Sequence, residues 1–296
     1  MTVLALLGPT AAGKSALAQR VARARGDVEI VAVDAFTVYR GMDIATAKPS
    51  VAVRREVAHH LVDVLDPHEQ LTAVAFRRLA RAAIDEVRAR GATPLLVGGS
   101  GLYFRAVVDP LAFPPTDADV RARLERRWAD DPPAAHAELA ARDPKAAARI
   151  EPGNLRRTVR ALEVIELTGG SFSGFDDGFD RYESIYDGLE VGYLEPDTAT
   201  LRERIDRRAA DMVEQGLLDE ARSLRAASTL SRTAAQAIGY AEAFAVLDGE
   251  LAEEQLAPAV AGRTWRYAKR QRSWFRADPR CVPTTPDELV ERFTTT

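Results

Sequence analysis

A glycine-rich segment near the start of the chain combines residue types that bind phosphate. Residues 8–15 read Gly-Pro-Thr-Ala-Ala-Gly-Lys-Ser and match the pattern G-x-x-x-x-G-K-[ST]. Its glycines let backbone N–H groups approach phosphate oxygens, its lysine supplies a positive charge, and its serine hydroxyl is placed to ligate Mg²⁺. The segment predicts a di- or triphosphate site formed by Gly8, Thr10, Ala11, Ala12, Gly13, Lys14 and Ser15, with Ser15 as the Mg²⁺ ligand.

The carboxylate nearest to this chemistry follows the second apolar segment of the chain. Kinases and GTPases with such a loop usually carry a Mg²⁺-binding acid at the end of a later strand. Here the apolar segment 94–97 is followed by Gly98-Gly99-Ser100-Gly101, whereas Asp34 directly follows the segment 29–33. Two chemistries therefore stay open. One is phosphoryl transfer in which Asp34 meets the acceptor hydroxyl, and the other is a reaction whose leaving group is a diphosphate.

Several apolar segments place these residues at the ends of predicted strands. Residues 3–7 are a continuous apolar run, residues 29–33 and 94–97 are a second and a third apolar strand, and residues 15–25 and 71–90 between them have helical spacing. A further strand is predicted over 189–194, followed by helices over 200–225, 234–247 and 253–275. Buried strands that alternate with helices are typical of parallel sheets. The pattern predicts an α/β fold of the P-loop NTPase-like class, a parallel sheet flanked by helices.

A helical insertion is predicted in the middle of the chain. Residues 117–168 have helical spacing with breaks at Asp131-Pro132, Asp143-Pro144 and Pro152-Gly153, and no strand is evident there. Residues 169–188 are rich in Gly, Ser, Asp and aromatic residues and are predicted to form a long surface loop. We therefore predict a core of residues 1–115 and 189–296 and an insertion of residues 116–188. The last three residues, 294–296, are expected to fray.

Composition narrows the class of protein. The 296 residues carry a formal net charge of −4, which excludes a globally basic nucleic-acid binder but not a local basic surface. The single cysteine, Cys281, excludes an intramolecular disulfide. No run approaches the roughly 18 apolar residues of a membrane span, and the N-terminus lacks the features of a signal peptide. We expect a cytoplasmic monomer that has no membrane partner.

A basic and aromatic segment lies near the end of the chain. Residues 263–280 contain seven basic residues and one acid, Asp278, with Trp265, Tyr267, Trp274 and Phe275 interleaved. This composition suits contact with an RNA backbone combined with stacking. It equally suits an amphipathic helix whose aromatic side chains are buried, and the two interpretations can coexist.

Six further segments follow the phosphate loop in a fixed order. They are residues 34–49, 59–63, 98–103, 160–164, 236–240 and 267–271, the last followed by Trp274-Phe275. With this ordered set the chain, from Leu4 to about Phe275, closely resembles the tRNA dimethylallyltransferase family of the bacterial type. The resemblance implies transfer of a dimethylallyl group from dimethylallyl diphosphate to N6 of the adenosine 3′ of the anticodon, in tRNAs that read U-initial codons. It also implies Mg²⁺ as the cofactor and a phosphate loop that binds the diphosphate leaving group.

The resemblance also assigns roles to single residues. Asp34 would be the general base for N6, Ser100 would help bind the diphosphate or its bridging oxygen, and Arg208 would stabilise the departing diphosphate. The positions implied to contact tRNA are Asp34, Ala35, Phe36, Thr37, Ser100, Arg121, Arg156, Arg157, Arg160 and Gln236. The insertion would bind the anticodon stem. Each role has a structural alternative: a turn or helix-cap Asp34, a glycine-rich turn at Ser100, and solvated or ion-paired arginines.

Some residues depart from the family pattern, and two rival functions stay open. The family often has Ser and a polar residue where this chain has Ala35 and Phe36, Gly in place of Ala45, and usually Thr in place of Ser100. A small-molecule P-loop kinase would turn over ATP and bind no tRNA. A tRNA-binding module that has lost its chemistry would bind tRNA without product. His59-His60 suggests a metal site, but structural hydrogen bonding is the favoured interpretation.

Overall fold

The computed structural model describes residues 2–179, 181–227 and 229–295, and it contains a five-stranded parallel sheet. The strands are β1 (Val3–Leu7), β2 (Val28–Val33), β3 (His59–His60), β4 (Thr93–Gly98) and β5 (Leu189–Tyr193), in the spatial order β3-β2-β4-β1-β5. All paired strands run in parallel. The helices before the insertion are α1 (Lys14–Arg25), α2 (Val51–Glu56), α3 (Ala73–Ala89) and α4 (Gly101–Val108). The predicted P-loop NTPase-like α/β fold is confirmed.

The central strand β1 packs into two cores. All five of its residues are fully buried. Because side chains alternate across a strand, Val3, Ala5 and Leu7 join one hydrophobic cluster, whereas Leu4 and Leu6 join another on the opposite face of the sheet. A strand buried on both faces is continuously apolar, which is why this segment lacks polar alternation.

The strand register brings the chemistry-bearing segments to one edge. In the sheet, Gly98 lies opposite both Leu7 and Val33, so β1, β2 and β4 end at the same level. The next residues along these strands are Gly8, Asp34 and Gly99. The phosphate loop and the acid, which are separate in sequence, therefore meet at the carboxyl edge of the sheet, where ligands bind in open α/β folds.

The insertion is helical, as predicted. It contains α5 (Ala118–Trp128), α6 (Pro132–Arg142), α7 (Pro144–Ala147) and α8 (Leu155–Thr168), and Asp131 and Asp143 cap α6 and α7 at the predicted Asp-Pro breaks. Leu139 and Leu162 belong to its own hydrophobic core. The predicted loop after α8 includes a short 3₁₀ helix, Ser173–Gly178, and Asp180 lies outside the described residues. The compact units of the structure are residues 1–109 with 184–296, and residues 110–183.

The C-terminal third contains α9 (Thr198–Glu214), α10 (Leu217–Ala227), α11 (Arg232–Ala235), α12 (Tyr240–Leu247), α13 (Leu256–Ala277) and α14 (Pro286–Thr295), with a 3₁₀ helix at Glu253–Gln255. The helices predicted over 200–225 and 234–247 are confirmed, but each range is divided into two helices, near Gly216 and near Gly239. Helix α2 was not predicted.

The expectation of a frayed C-terminus is wrong for Thr294 and Thr295, which belong to α14. Leu289 and Phe293 anchor this helix in the cluster that contains Leu4, and Thr296 lies outside the described residues. Within the described residues, no helix is both long and apolar enough to cross a membrane.

Candidate active site

The phosphate loop connects β1 to α1 through a tightly constrained backbone. Gly13 caps α1 with a φ of 94°, a left-handed conformation that glycine adopts without strain. A Cβ added at Gly8 would lie 2.6 Å from the carbonyl oxygen of Leu194, so only glycine fits there. The loop therefore ends at the N-terminus of α1, where unpaired backbone N–H groups and the helix dipole favour an anion.

Lys14 lies inside this loop. Its Nζ donates hydrogen bonds to the carbonyl oxygens of Gly8, at 2.9 Å, and Pro9, at 2.7 Å. Burial and the neighbouring Arg208 guanidinium lower the pKa of Lys14 to about 7, although Asp34 partly opposes them. The amine therefore sits in an electropositive environment that a bound anion would relieve.

Gln271 on α13 connects the phosphate loop to the end of β4. Its Oε1 accepts a hydrogen bond from the backbone N–H of Thr10 at 2.9 Å, and its Nε2 donates to the carbonyl oxygen of Gly99 at 2.8 Å. The residue is only 5% exposed. Gln271 is not among the site residues that the sequence predicts. The available signal was a polar residue that shares the apolar face of a helix with Ala268 and Phe275.

The two carboxylate oxygens of Asp34 differ in their hydrogen bonding. Its Oδ1 accepts hydrogen bonds from the backbone N–H groups of Phe36 at 2.8 Å and Thr37 at 3.2 Å, which closes the turn after β2. Within the described part of the chain, Oδ2 accepts no hydrogen bond. The nearby Thr37 hydroxyl is buried and also lacks a partner there. The turn thus fixes the carboxylate while leaving one oxygen available to a ligand.

Arg208 approaches the phosphate loop from α9. Its Nη1 donates to Thr10 Oγ1 at 3.3 Å, and its Nε is buried with no hydrogen-bond partner among the described residues. Burial lowers the pKa of this guanidinium, and Asp34 opposes that effect. Arg208 is partly buried, and removing a cation from water without an ion-pair partner is costly to a fold. Its position beside Thr10 therefore indicates a binding site for an anion.

These groups line one cavity of about 510 Å³. Its lining includes Thr10, Ala11, Gly13, Lys14, Ser15, Asp34, Thr37, Gly99, Arg204, Arg208, Tyr267 and Gln271. A smaller cavity of about 80 Å³ shares Thr10, Asp34, Thr46, Arg208 and Tyr267 with the first. Its other walls are mainly apolar, from Phe36, Ala45, Ile205, Ala209, Met212, Ala237, Ile238 and Val260. A polar site for an anion thus adjoins a small apolar space, with the Asp34 carboxylate at both.

Several predicted contact residues lie outside the lining of both cavities: Gly8 and Ala12 of the phosphate loop, the insertion arginines, and Ala35, Ser100 and Gln236. Ser100 caps α4, and its Oγ accepts a hydrogen bond from the backbone N–H of Tyr103 at 3.4 Å. Gln236 is exposed at the end of α11, and its carbonyl oxygen accepts a hydrogen bond from Arg263. Ala35 lies in the turn between Asp34 and Phe36. Their predicted roles stay predictions.

The insertion arginines fall into two groups. Arg121 and Arg160 both donate to Oε2 of Glu163, at 2.7 Å and 2.8 Å, and the Glu163 side chain is fully buried. Burial would raise the pKa of Glu163, but the hydrogen bonds from these arginines and from the Asp117 N–H hold that pKa below its usual value. Arg156 and Arg157 are exposed and form no ion pair within the described residues.

The histidine pair makes structural hydrogen bonds, in agreement with the favoured interpretation. His60 Nε2 lies 2.6 Å from Glu29 Oε2, and His59 Nδ1 lies 2.7 Å from the carbonyl oxygen of Val57. The described residues contain no cluster of His, Cys, Asp or Glu side chains that could hold a metal ion.

The fold and the site together define a class. A parallel sheet with a phosphate loop at its carboxyl edge is the mark of a P-loop protein. The cavity at this edge contains a site suited to an anion and the Asp34 carboxylate, one oxygen of which accepts no hydrogen bond within the described residues. The family model described as IPP transferase matches residues 37–278. The chain belongs to this family of transferases.

Individual relatives support the same assignment. The chain is 50% identical over 282 residues to a tRNA dimethylallyltransferase of Salinispora arenicola, covering 94% of this chain and 81% of the relative. It is 47% identical to a tRNA dimethylallyltransferase of Mycobacterium tuberculosis, covering 95% of this chain and 91% of the relative. The resemblance stated from the sequence motifs is confirmed.

Solved structures agree. The crystal structure of the tRNA isopentenylpyrophosphate transferase from Bacillus halodurans matches with a TM-score of 0.71 and 37% identity, over 99% of this chain and 94% of that one. A eukaryotic dimethylallyltransferase acting on tRNA matches with a TM-score of 0.76 and 26% identity, over 93% of this chain and 69% of the other.

Proposed function

We propose that this protein transfers a dimethylallyl group from dimethylallyl diphosphate to N6 of the adenosine 3′ of the anticodon, in tRNAs that read U-initial codons. Prenyl transfer to tRNA follows from membership of the family. One observation carries the mechanism: the Asp34 carboxylate shares a cavity with the phosphate loop and the partly buried Arg208. We place the reaction in the cytoplasm, where tRNA substrates are found.

The donor binds by both of its ends. Its diphosphate lies on the backbone N–H groups of Ala11 and of residues 13–15, with Lys14 and Arg208 as charged partners, whereas the N–H groups of Thr10 and Ala12 are already bonded within the protein. Its dimethylallyl group occupies the small apolar cavity between Met212 and Val260, because removal of this hydrocarbon from water is favourable.

Ser15 suits a magnesium ion. It lines the cavity at the first turn of α1. Mg²⁺ is commonly held by one or two protein oxygens together with phosphate oxygens and water, so a single hydroxyl beside the diphosphate is an adequate protein ligand. Bound there, the ion would neutralise part of the charge of the leaving diphosphate.

Asp34 provides the base. The adenine N6 is a weak nucleophile because its lone pair is delocalised into the ring, and a hydrogen bond to the free Asp34 oxygen orients it. N6 forms a bond to C1 of the dimethylallyl group as the bond from C1 to the diphosphate oxygen breaks. The N6 proton passes to Asp34, and Lys14 and Arg208 stabilise the charge that develops on the diphosphate.

Recognition of tRNA involves both compact units of the chain. The turn at Asp34, Ala35, Phe36 and Thr37, together with Ser100 and Gln236, contacts the anticodon loop. Within the insertion, the exposed Arg156 and Arg157 contact phosphates of the anticodon stem. Arg121 and Arg160, whose guanidinium groups are held in position by Glu163, support this contact.

A transfer assay tests this proposal against its rivals. The protein is incubated with Mg²⁺, labelled dimethylallyl diphosphate and unmodified tRNA whose anticodon ends in adenosine, and the digested tRNA is analysed for N6-dimethylallyladenosine. Asp34→Asn, which keeps the turn-closing oxygen, is the matched control. Product with the wild type and little with the variant supports the proposal. Phosphate release from ATP without prenylated tRNA would favour the kinase, and tRNA binding without product would favour the non-catalytic module.

A further inference from the structure

A turn at residues 43–48 forms part of the wall of the small apolar cavity. Its backbone is closed by a hydrogen bond from the N–H of Lys48 to the carbonyl oxygen of Asp43, at 3.0 Å. Ala45 lines the small cavity, and Thr46 lines both the small cavity and the larger one that holds the phosphate loop. We call residues 43–48 the wall turn. Its position sets the room that a ligand has beside the anion site.

The carboxylate of Glu220, in the first turn of α10, holds the wall turn in place. Its two oxygens accept hydrogen bonds from the backbone N–H of Asp43, at 3.2 Å and 3.3 Å, and from that of Ile44, at 3.0 Å and 3.3 Å. The hydroxyl of Tyr240, a fully buried residue of α12, donates to the same carboxylate. Burial and this hydrogen bond raise the pKa of Tyr240, so the phenol keeps its proton and remains a donor. Glu220 thus connects the wall turn to two helices.

Ala45 is enclosed on the side away from the cavity. A Cβ added at Gly239 would lie 2.5 Å from the Cβ of Ala45, so the Gly239 backbone packs closely against the Ala45 methyl group. Ala45 itself is buried. Because protein interiors are close-packed, a group in such a position cannot move aside without displacing its neighbours. The wall at Ala45 is therefore fixed both by the Glu220 hydrogen bonds and by packing.

We propose that Ala45, positioned by Glu220, limits the prenyl donor to a dimethylallyl group. The inference rests on the proposed function, which places that group in the small cavity, and it adds a specificity-determining residue and a positioning residue to it. The cavity measures only about 80 Å³. A donor whose hydrocarbon is one methylene larger must displace a fixed wall, and overpacking of this kind is unfavourable. One methylene in a hydrophobic pocket changes kcat/KM by about 10- to 200-fold.

The test compares donors that differ by one methylene. They are dimethylallyl diphosphate and the E and Z isomers of 3-methylpent-2-enyl diphosphate, each of which extends a different methyl group of the donor. The value of kcat/KM is measured for each donor with the same tRNA and Mg²⁺, and the ratio of dimethylallyl diphosphate to each homologue gives the discrimination.

Three variants change the wall, and a fourth is the matched control. Ala45→Gly removes the methyl group from the wall. Glu220→Gln replaces one acceptor oxygen by an NH₂ group, which cannot accept a hydrogen bond. Tyr240→Phe removes only the hydroxyl, and it decides the role of the carboxylate if Glu220→Gln folds poorly. The control is Glu288→Gln, because Glu288 also accepts a backbone hydrogen bond, from Thr285 at 3.0 Å, but lines neither cavity.

The wild type should use at least one homologue about 10- to 200-fold less efficiently than dimethylallyl diphosphate. Ala45→Gly should reduce this discrimination by roughly tenfold, since the methyl group removed matches the methylene added. Glu220→Gln and Tyr240→Phe should reduce it in the same direction by a smaller factor, because they loosen the wall without removing it. Glu288→Gln should keep the wild-type ratio. A general loss of stability would lower kcat/KM for every donor and leave the ratio unchanged.

The outcomes that overturn the inference can be told apart. Equal use of all donors by the wild type, or an unchanged ratio in Ala45→Gly, refutes the wall. An altered ratio in Ala45→Gly with wild-type ratios in both Glu220→Gln and Tyr240→Phe refutes the positioning role of Glu220. A wild-type protein that transfers no dimethylallyl group to tRNA refutes the proposed function, and this inference with it.

Discussion

Replacement of Gln271 by methionine should damage both the stability of the core and the binding of the donor. The two side chains have similar length and volume, so the change mainly removes hydrogen-bonding groups. It leaves the Gly99 carbonyl oxygen and the Thr10 N–H without the partners that they have at 2.8 Å and 2.9 Å. An orphaned buried polar group costs about 1–3 kcal/mol.

The magnitude depends on the surroundings of each group. The hydrogen bond to Gly99 is buried, whereas that of Thr10 is only partly buried at the edge of a cavity, where water can replace the lost partner. We therefore take the full cost for Gly99 and the lower end for Thr10. The sum is a loss of about 2–4 kcal/mol in the free energy of unfolding. The released phosphate loop should also raise the KM for dimethylallyl diphosphate more than the KM for tRNA.

Urea unfolding and steady-state kinetics measure these two effects. Gln255→Met is the matched control, because it makes the same chemical change at an exposed position next to the same helix. That variant should stay within about 0.5 kcal/mol of the wild type. If Gln271→Met also unfolds like the wild type and keeps the donor KM, Gln271 does not hold the phosphate loop.

Three further predictions concern charged groups. Arg208→Gln should lower kcat by about 10²- to 10³-fold, since it removes a donor aimed at the leaving diphosphate, and Arg208→Lys should retain part of the rate in single-turnover assays. Because the pKa of Lys14 is about 7 and only the protonated amine attracts an anion, calorimetric affinity for inorganic diphosphate should fall as the pH rises from 6 to 8; in Lys14→Arg this fall should disappear. The pKa of Glu163 is lower in the folded insertion than in the unfolded chain. Its ionised carboxylate therefore stabilises the insertion at pH values above the unfolded-state pKa, and this stabilisation is lost as the pH falls through the folded-state pKa. Glu163→Gln should therefore destabilise the insertion at neutral pH by about 3–5 kcal/mol, which is measured as faster hydrogen exchange in α5 and α8. Unchanged exchange would contradict this role of Glu163.

Local patterns in the sequence predicted the parts of the site that a short segment can specify. The phosphate loop is one contiguous motif, and Asp34 follows a recognisable strand. The sequence placed both features at the ends of predicted strands, and strand endings in a parallel sheet meet at one edge. The register of Val33 and Leu7 against Gly98 shows how the structure brings the two features together.

Gln271 could not be found in this way, because its role depends on contacts distant in sequence. It is separated from Thr10 by 261 positions. From the sequence alone, a glutamine in a basic helix is expected to face water. Only the packing of α13 places it inside the protein. The pairing of Arg160 and Arg121 with Glu163 is likewise invisible without the packing of α5 against α8.

Asp34 can both close a turn and act as a general base, because its two carboxylate oxygens have different roles. One oxygen closes the turn after β2 through two backbone N–H groups, and the other accepts no hydrogen bond within the described residues. A side chain that only closed a turn could be replaced by asparagine at little cost. A base cannot be, because an amide does not accept a proton at neutral pH. Asp34→Asn therefore separates the two roles: folding should persist while transfer is lost, and the turn itself explains how the base is held in position.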